Sequence, residues 1–270
     1  MTVRIPAHDH THHGLAVDLH VMSRRRMFGL LGGAAMIPVL GACTSTTATE
    51  AAPDAATTDA ASGTCSTIPD ETAGPYPGDG TNGANALVLA GIVRSDITAS
   101  IAGATGIADG VPLTVTLTIV DANTCEPIAG YAVYLWHCDR DGNYSMYSPA
   151  VADQNYLRGV QATDADGIVA FTTIFPACYS GRWPHIHFEV YTSVAEATSG
   201  ANKVATSQLA LPKATCDLVF ATTGYEQSVA NLAQVSLATD MVFSDGATLE
   251  IPTIAGSVAD GFAATLTVAI

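Results

Sequence analysis

The chain reads as an all-β protein, an antiparallel β-sandwich of about eight strands with its working loops at one end and little helix. Three observations predict this. Of 270 residues, 48% are hydrophobic and only 13% charged, enough apolar material for one core but with few of the Lys and Arg that line exposed helices. Runs in which Thr alternates with Leu, Val or Ile, as in Leu113 to Val120, repeat every second residue, the period of a half-buried strand. Turn signals such as Asp-Gly and Asn-Thr-Cys-Glu-Pro separate those runs.

The first 42 residues stand apart as a targeting segment. Ser23-Arg24-Arg25-Arg26-Met27-Phe28 precedes the apolar run Gly29 to Val39 and resembles a twin-arginine export signal, while Leu40-Gly41-Ala42-Cys43 resembles a lipobox. That run, broken by Pro38, is shorter than the ~20 residues needed to span a bilayer. Cys43 is therefore the expected lipidation site and mature N-terminus, which places the protein in the cell envelope, lipid-anchored on the periplasmic or cell-surface side. Residues 43–64, rich in Thr, Ala and Ser, read as a flexible tether, and residues 65–270 as the folded domain.

Removing the segment changes the chemistry in view. Five of the eight histidines (His8, His10, His12, His13 and His20) go with it, leaving His137, His185 and His187. Six Lys and Arg then face 23 Asp and Glu, a balance that argues against nucleic acid or anionic lipid as partners and leaves membrane contact to the N-terminal lipid. Cys65, Cys125, Cys138, Cys178 and Cys216 remain, an odd set in an oxidising compartment. Up to two disulfides with one thiol left over are expected, in pairings that the sequence does not select.

Along the domain, Cys65 to Gly78 is a Pro- and Gly-rich loop carrying Tyr76. Leu113 to Val120 is a strand, Asp121 to Gly130 its turn and Tyr131 to Trp136 its partner, after which Asp141-Gly142 turns the chain and sets Tyr144 on a loop. Val151 to Ala162 reads as irregular. Asp164-Ala165-Asp166-Gly167 is a hairpin turn into the strand Ile168 to Ile174, which delivers Cys178 and Tyr179. Its likeness to a calcium loop stops there, because the remaining ligands are missing. The stretch from His185 to Val190 alternates polar and apolar residues, and Lys203 to Leu211, Ala247 to Ile251 and Ala263 to Ile270 are further strands. Asp217 to Asp240 holds one short helix.

On a strand, His185 and His187 point to one face and Ile186, Phe188 and Val190 to the other. Tyr144 and Tyr179 each follow a strand end and are placed to converge on that pair. Two phenolates with two imidazoles favour a small, highly charged ion such as Fe(3+), since zinc takes His, Cys or carboxylate and copper(I) takes sulfur. Such an ion also supplies the charge that ionises a Tyr of pKa near 10.

With those residues in hand, the sequence resembles the intradiol ring-cleavage dioxygenases, a family of non-haem iron(III) enzymes. The likeness runs from about Cys65 to the C-terminus. It rests on Glu71-Thr72-Ala73-Gly74-Pro75-Tyr76, on Trp136-His137-Cys138-Asp139 leading to Tyr144, and on Asp164-Ala165-Asp166-Gly167. Tyr179 with Arg182 ahead of Pro184-His185-Ile186-His187 and the stretch Ser207-Gln208-Leu209 complete it.

The resemblance implies that Tyr144, Tyr179, His185 and His187 hold iron, with Tyr179 the axial ligand that leaves when substrate binds. It implies that Arg182 stabilises charge on the ring, Gln208 orients the substrate and Tyr76 lines the pocket mouth. The partners it implies are a small aromatic diol and O2, and the product a cis,cis-muconate. His137 is expected to support the fold beside the site and Trp136 to be a core aromatic. There are departures: only five residues separate Tyr179 from His185, a disulfide at Cys178 is one way to tie down so short a loop, and the helical dimerisation segment of catechol 1,2-dioxygenases has no counterpart. Oligomeric state stays open. The competing reading is a non-enzymatic exported β-sandwich binding module holding zinc or copper through His185 and His187. A zinc hydrolase would need a Glu base that no motif supplies.

Overall fold

A computed structural model describes residues 65–270. The export signal, Cys43 and the tether of residues 43–64 lie outside the described residues.

Eight strands form two four-stranded sheets. They are β1 (Pro112–Val120), β2 (Ala132–Trp136), β3 (Arg158–Ala162), β4 (Ile168–Ile174), β5 (His185–Tyr191), β6 (Ala205–Ala210), β7 (Thr253–Ser257) and β8 (Gly261–Ala269), in the orders β4-β1-β8-β7 and β3-β2-β5-β6. On β1 the alternation expected from sequence is realised, with Leu113, Val115, Leu117 and Ile119 buried and the threonines between them turned outward. Those side chains share one apolar cluster with Phe171 and Val268 of their own sheet and Leu135, Ile186, Phe188 and Leu209 of the other. Each fully buried Leu, Ile or Phe contributes about 1.5–3 kcal/mol, so this shared cluster is the main stabilising term.

Five strand pairings are antiparallel, but β1 and β8 run parallel, from Leu113 against Phe262 to Val120 against Ala269. This corrects the all-antiparallel expectation. A parallel neighbour needs a long connection, and here every other strand lies between the two along the chain.

The stretch read as irregular contains β3. Its pattern is hidden by Arg158 and by Gly159, where a Cβ would collide with Ile97 of the segment covering this edge. That segment bonds Val160 from both sides, Arg94 N donating to its carbonyl at 2.9 Å and Val160 N to Ile92 O at 2.9 Å. The strand expected at Ala247 to Ile251 is instead a tight turn, with Glu250 and Ile251 N–H donating to Ala247 O, and the strand begins at Thr253. Burial of Glu250 in that turn explains the shift. Two short helices, α1 (Lys213–Phe220) and α2 (Glu226–Leu232), stand where one was expected.

One disulfide joins Cys65 to Cys125, fewer than the two allowed for, and Cys138, Cys178 and Cys216 are buried thiols. Cys178 is thus not bridged. The short loop is tied by α2 instead, Ser228 Oγ accepting from Cys178 N at 3.0 Å and Asn231 Nδ2 donating to Cys178 O at 2.8 Å.

β5 is the strand that positions the site. It is buried on both faces, with Ile186, Phe188 and Val190 in the core and His185, His187 and Glu189 opposite, beneath loops. Its register sets Trp136 of β2 and Gln208 of β6 on either side of His187.

Candidate metal centre

His185 Nδ1 lies 2.5 Å from the carbonyl of Trp183. A carbonyl can only accept, so Nδ1 carries the proton and Nε2 turns a bare lone pair toward the other site residues. His187 Nε2 is 3.1 Å from it. Gly74 takes a left-handed φ of 69° that suits glycine, and its Cβ position lies in ordinary contact, 3.5 Å, with His187 Cε1, so the Cys65 to Gly78 loop packs over this imidazole.

Tyr144 arrives from the loop after β2. Asp139 folds that loop by accepting from Asp141 N at 3.0 Å and Asn143 N at 2.8 Å, with Gly142 at φ 86° between them. The phenol of Tyr144 is buried, its Oη 3.4 Å from both His185 Nε2 and His187 Nε2. Tyr179, half-buried, brings its Oη to 3.2 Å from His185 Nε2. Four donor atoms from three segments therefore crowd one point. Separations of 3.1–3.4 Å are the edges expected of a polyhedron whose ligands sit about 2 Å from a central ion.

The electrostatics agree with that geometry. Burial, then the charge of Arg182, holds the His185 pKa well below its ordinary value, and burial followed by His185 does the same to His187, so both imidazoles are neutral, the form able to ligate a metal. Burial pushes Tyr144 well above its ordinary value, and the neighbouring Tyr179 adds to the rise. Without a cation nearby, the Tyr144 phenol keeps its proton; an ion at the centre would reverse this. Among the described residues no group of three or more His, Cys, Asp or Glu side chains forms a metal cage, so the phenols are what completes this donor set.

A dioxygenase family model matches residues 93–198. Among solved structures, an intradiol ring-cleavage dioxygenase from Tetranychus urticae superposes with a TM-score of 0.60 at 28% identity, over 76% of this chain and 95% of that one. A chlorocatechol 1,2-dioxygenase of Rhodococcus opacus is 45% identical over 53 residues, 20% of this chain and 21% of that protein's length. Over residues 93–198, and in the fold it shares with the Tetranychus urticae enzyme, the chain is similar to the intradiol ring-cleavage dioxygenases.

The remaining site residues of the sequence reading fall as follows. Arg182 is buried, donating from Nε to Asp240 Oδ2 at 2.9 Å and from Nη2 to Gln208 Oε1 at 2.8 Å. Burial alone would favour its neutral form, but Tyr179 and Asp240 outweigh this and raise its pKa. Gln208 Nε2 donates to Thr72 O at 2.7 Å, which links Arg182 to the Gly74 loop. The Tyr76 ring packs between Tyr144 and Tyr147, with centroids 5.1 Å and 5.2 Å away. His137 does not join the cluster. Its ring nitrogens lie 2.7 Å from Cys138 O and 2.7 Å from Thr173 Oγ1, so both are used by the fold.

Two residues of this domain escaped the sequence reading. Asp240 accepts from Arg182 Nε, Trp183 N, Val242 N and Phe243 N, and so holds both the guanidinium and Trp183, the residue whose carbonyl orients His185. Arg158, fully buried, donates to Tyr76 O, Pro77 O, Tyr134 Oη, Ser145 Oγ and Ser145 O, fastening the Tyr76 loop to the Tyr144 loop. The scarcity of cations was the available signal: with six Lys and Arg after residue 64, an Arg beside apolar residues asks for a specific role.

Proposed function

We propose that this chain is a non-haem iron(III) dioxygenase that cleaves a catechol between its two hydroxyl-bearing carbons, adding both atoms of O2 to give a cis,cis-muconate-type product. The convergence of two phenols on two neutral imidazoles, with the two Nε2 atoms 3.1 Å apart and each phenol oxygen 3.2–3.4 Å from an Nε2, is the observation that carries this reading. Tyr144, Tyr179, His185 and His187 would hold the ion. Bound there, Fe(3+) supplies the charge that ionises the phenols and draws electron density from a coordinated catecholate.

The protein's own groups do the rest. Tyr179 is half-buried on a short loop and is the phenol suited to give way, its Oη taking up a proton from an incoming catechol hydroxyl. Tyr144 is buried and followed by Ser145, which Arg158 pins, so it stays in place. Arg182, a fixed guanidinium beside Tyr179, stabilises negative charge on the substrate. Gln208, held between Arg182 and Thr72 O, orients the substrate, and Tyr76 lines the approach.

The architecture we propose is a β-sandwich, supported by the single apolar cluster that both sheets feed. Export through residues 1–42 and lipidation at Cys43 belong to the same reading, supported by Arg24-Arg25-Arg26 and by Leu40-Gly41-Ala42-Cys43.

Colour tests the metal assignment. Protein loaded with iron(III) is expected to show a visible tyrosinate charge-transfer band that shifts when catechol is added without oxygen. Oxygen uptake with a ring-cleaved product, over a panel of catechols, tests the reaction. Iron-loaded protein that is colourless overturns the ligand set.

A further inference from the structure

We infer that the site is built for catechols whose ring substituents carry no negative charge, and that Asp240 is the residue that sets this preference. The inference rests on the function proposed above and concerns which catechol that site accepts.

The described domain contains six Lys and Arg against twenty Asp and Glu, so its net field repels an anionic substrate. Each of the six cations has a partner. Arg140 pairs with Asp109 at 2.7 Å, Lys213 with Asp217 at 2.7 Å and Lys203 with Glu189 at 3.3 Å. Arg94 spends its guanidinium on the carbonyls of Ala99, Asn155 and Arg158. Two cations act on the metal-centre residues themselves, Arg158 on His187 and Arg182 on Tyr144 and both histidines.

Neither offers a substrate carboxylate both a free fork and an uncompensated charge. Arg158 is fully buried, and its five N–H groups are matched by five acceptors. Arg182 is charge-paired at 2.9 Å with Asp240, itself fully buried, and a second arm of its fork is held by Gln208. Asp240 thus offsets part of the charge that would otherwise favour an acidic substituent. Brought into a site whose cations are so committed, a carboxylate loses hydration for little counter-charge. A neutral substituent of the same size meets no such penalty.

Binding of a matched pair decides the matter. 3,4-Dihydroxybenzamide and 3,4-dihydroxybenzoate are nearly equal in size and differ in charge, and their affinities for the iron-loaded protein are measured by calorimetric titration without oxygen. The amide is expected to bind at least about tenfold more tightly at low salt, and the gap to narrow as salt screens the repulsion. Asp240→Asn, which releases the Arg182 charge, is expected to narrow it several-fold. Equal affinities in the unaltered protein overturn the inference. So does a gap that neither salt nor Asp240→Asn changes, since that would report shape; and if the variant does not fold, the pair and its salt dependence still decide. Plain catechol separates the two levels: a loaded protein that neither binds nor cleaves it refutes the proposed function, whereas one that cleaves it and takes both benzoic derivatives alike refutes this preference alone.

Discussion

Trp136 lies flat on His187, with ring centroids 4.8 Å apart and planes 4° from parallel. The two are direct partners across β2 and β5, so the sheet register itself makes the stack. The indole is fully buried and its N–H has no hydrogen-bond partner, which means the ring is kept there for its face. Trp136→Ala is expected to destabilise the fold by about 3–5 kcal/mol and to weaken iron binding about 10–100-fold by freeing the imidazole. Trp136→Phe should restore most of the metal affinity. Denaturant unfolding and metal titration check both.

The two phenols should separate by their burial. Tyr144 is 2% exposed, whereas Tyr179 is half-buried. Tyr144→Phe is expected to lose iron during dialysis against a chelator faster than the parent protein. Tyr179→Phe should keep its iron, shift the visible band and lower kcat by about 10²-fold or more. Retention of full turnover in Tyr179→Phe would remove it from the reaction.

Arg158→Lys tests the staple between the Tyr76 and Tyr144 loops. An ammonium cannot reach the five acceptors that the guanidinium satisfies, so several buried oxygens lose their donors. A loss of about 3 kcal/mol or more is expected by thermal or denaturant unfolding, despite the retained charge.

Stability should fall as pH rises from weakly acidic to neutral. Burial, with the charge of Glu71 behind it, raises the Glu250 carboxyl from 4.5 to about 8, and burial raises Glu189 to about 7 despite the Tyr191 hydrogen bond and Lys203. Between about pH 4.5 and those values the folded protein holds protons that the unfolded chain has released. Stability therefore decreases with pH across that window, first through 7 and then through 8. Thermal unfolding midpoints from pH 5 to 8 check the slope, and Glu250→Gln should flatten its upper part.

How far these features were legible depends on their range along the chain. β1, β4 and β5 could be read because alternation is local, and the shared face of His185 and His187 follows from the same period. β3 could not, because Gly159 is there for its approach to Ile97, a contact that no neighbouring residue announces. Ala247 to Ile251 misled through its apolar residues, while Glu250 is drawn inside to present its carbonyl to Ala210 N at 2.9 Å. Asp240 and Arg158 bond to partners 58 and 81 residues distant, so their roles exist only once the sheets are assembled.

The parallel pairing of β1 with β8 dictates when this protein can fold. Until the residues up to Ala269 have been synthesised, β1 lacks one of its two neighbours and β7 its only one, and pairing them closes a loop that spans most of the domain. The nascent chain therefore cannot complete this sheet before β8 has emerged. Its apolar strands, exposed for that interval, are where holding chaperones would be needed most.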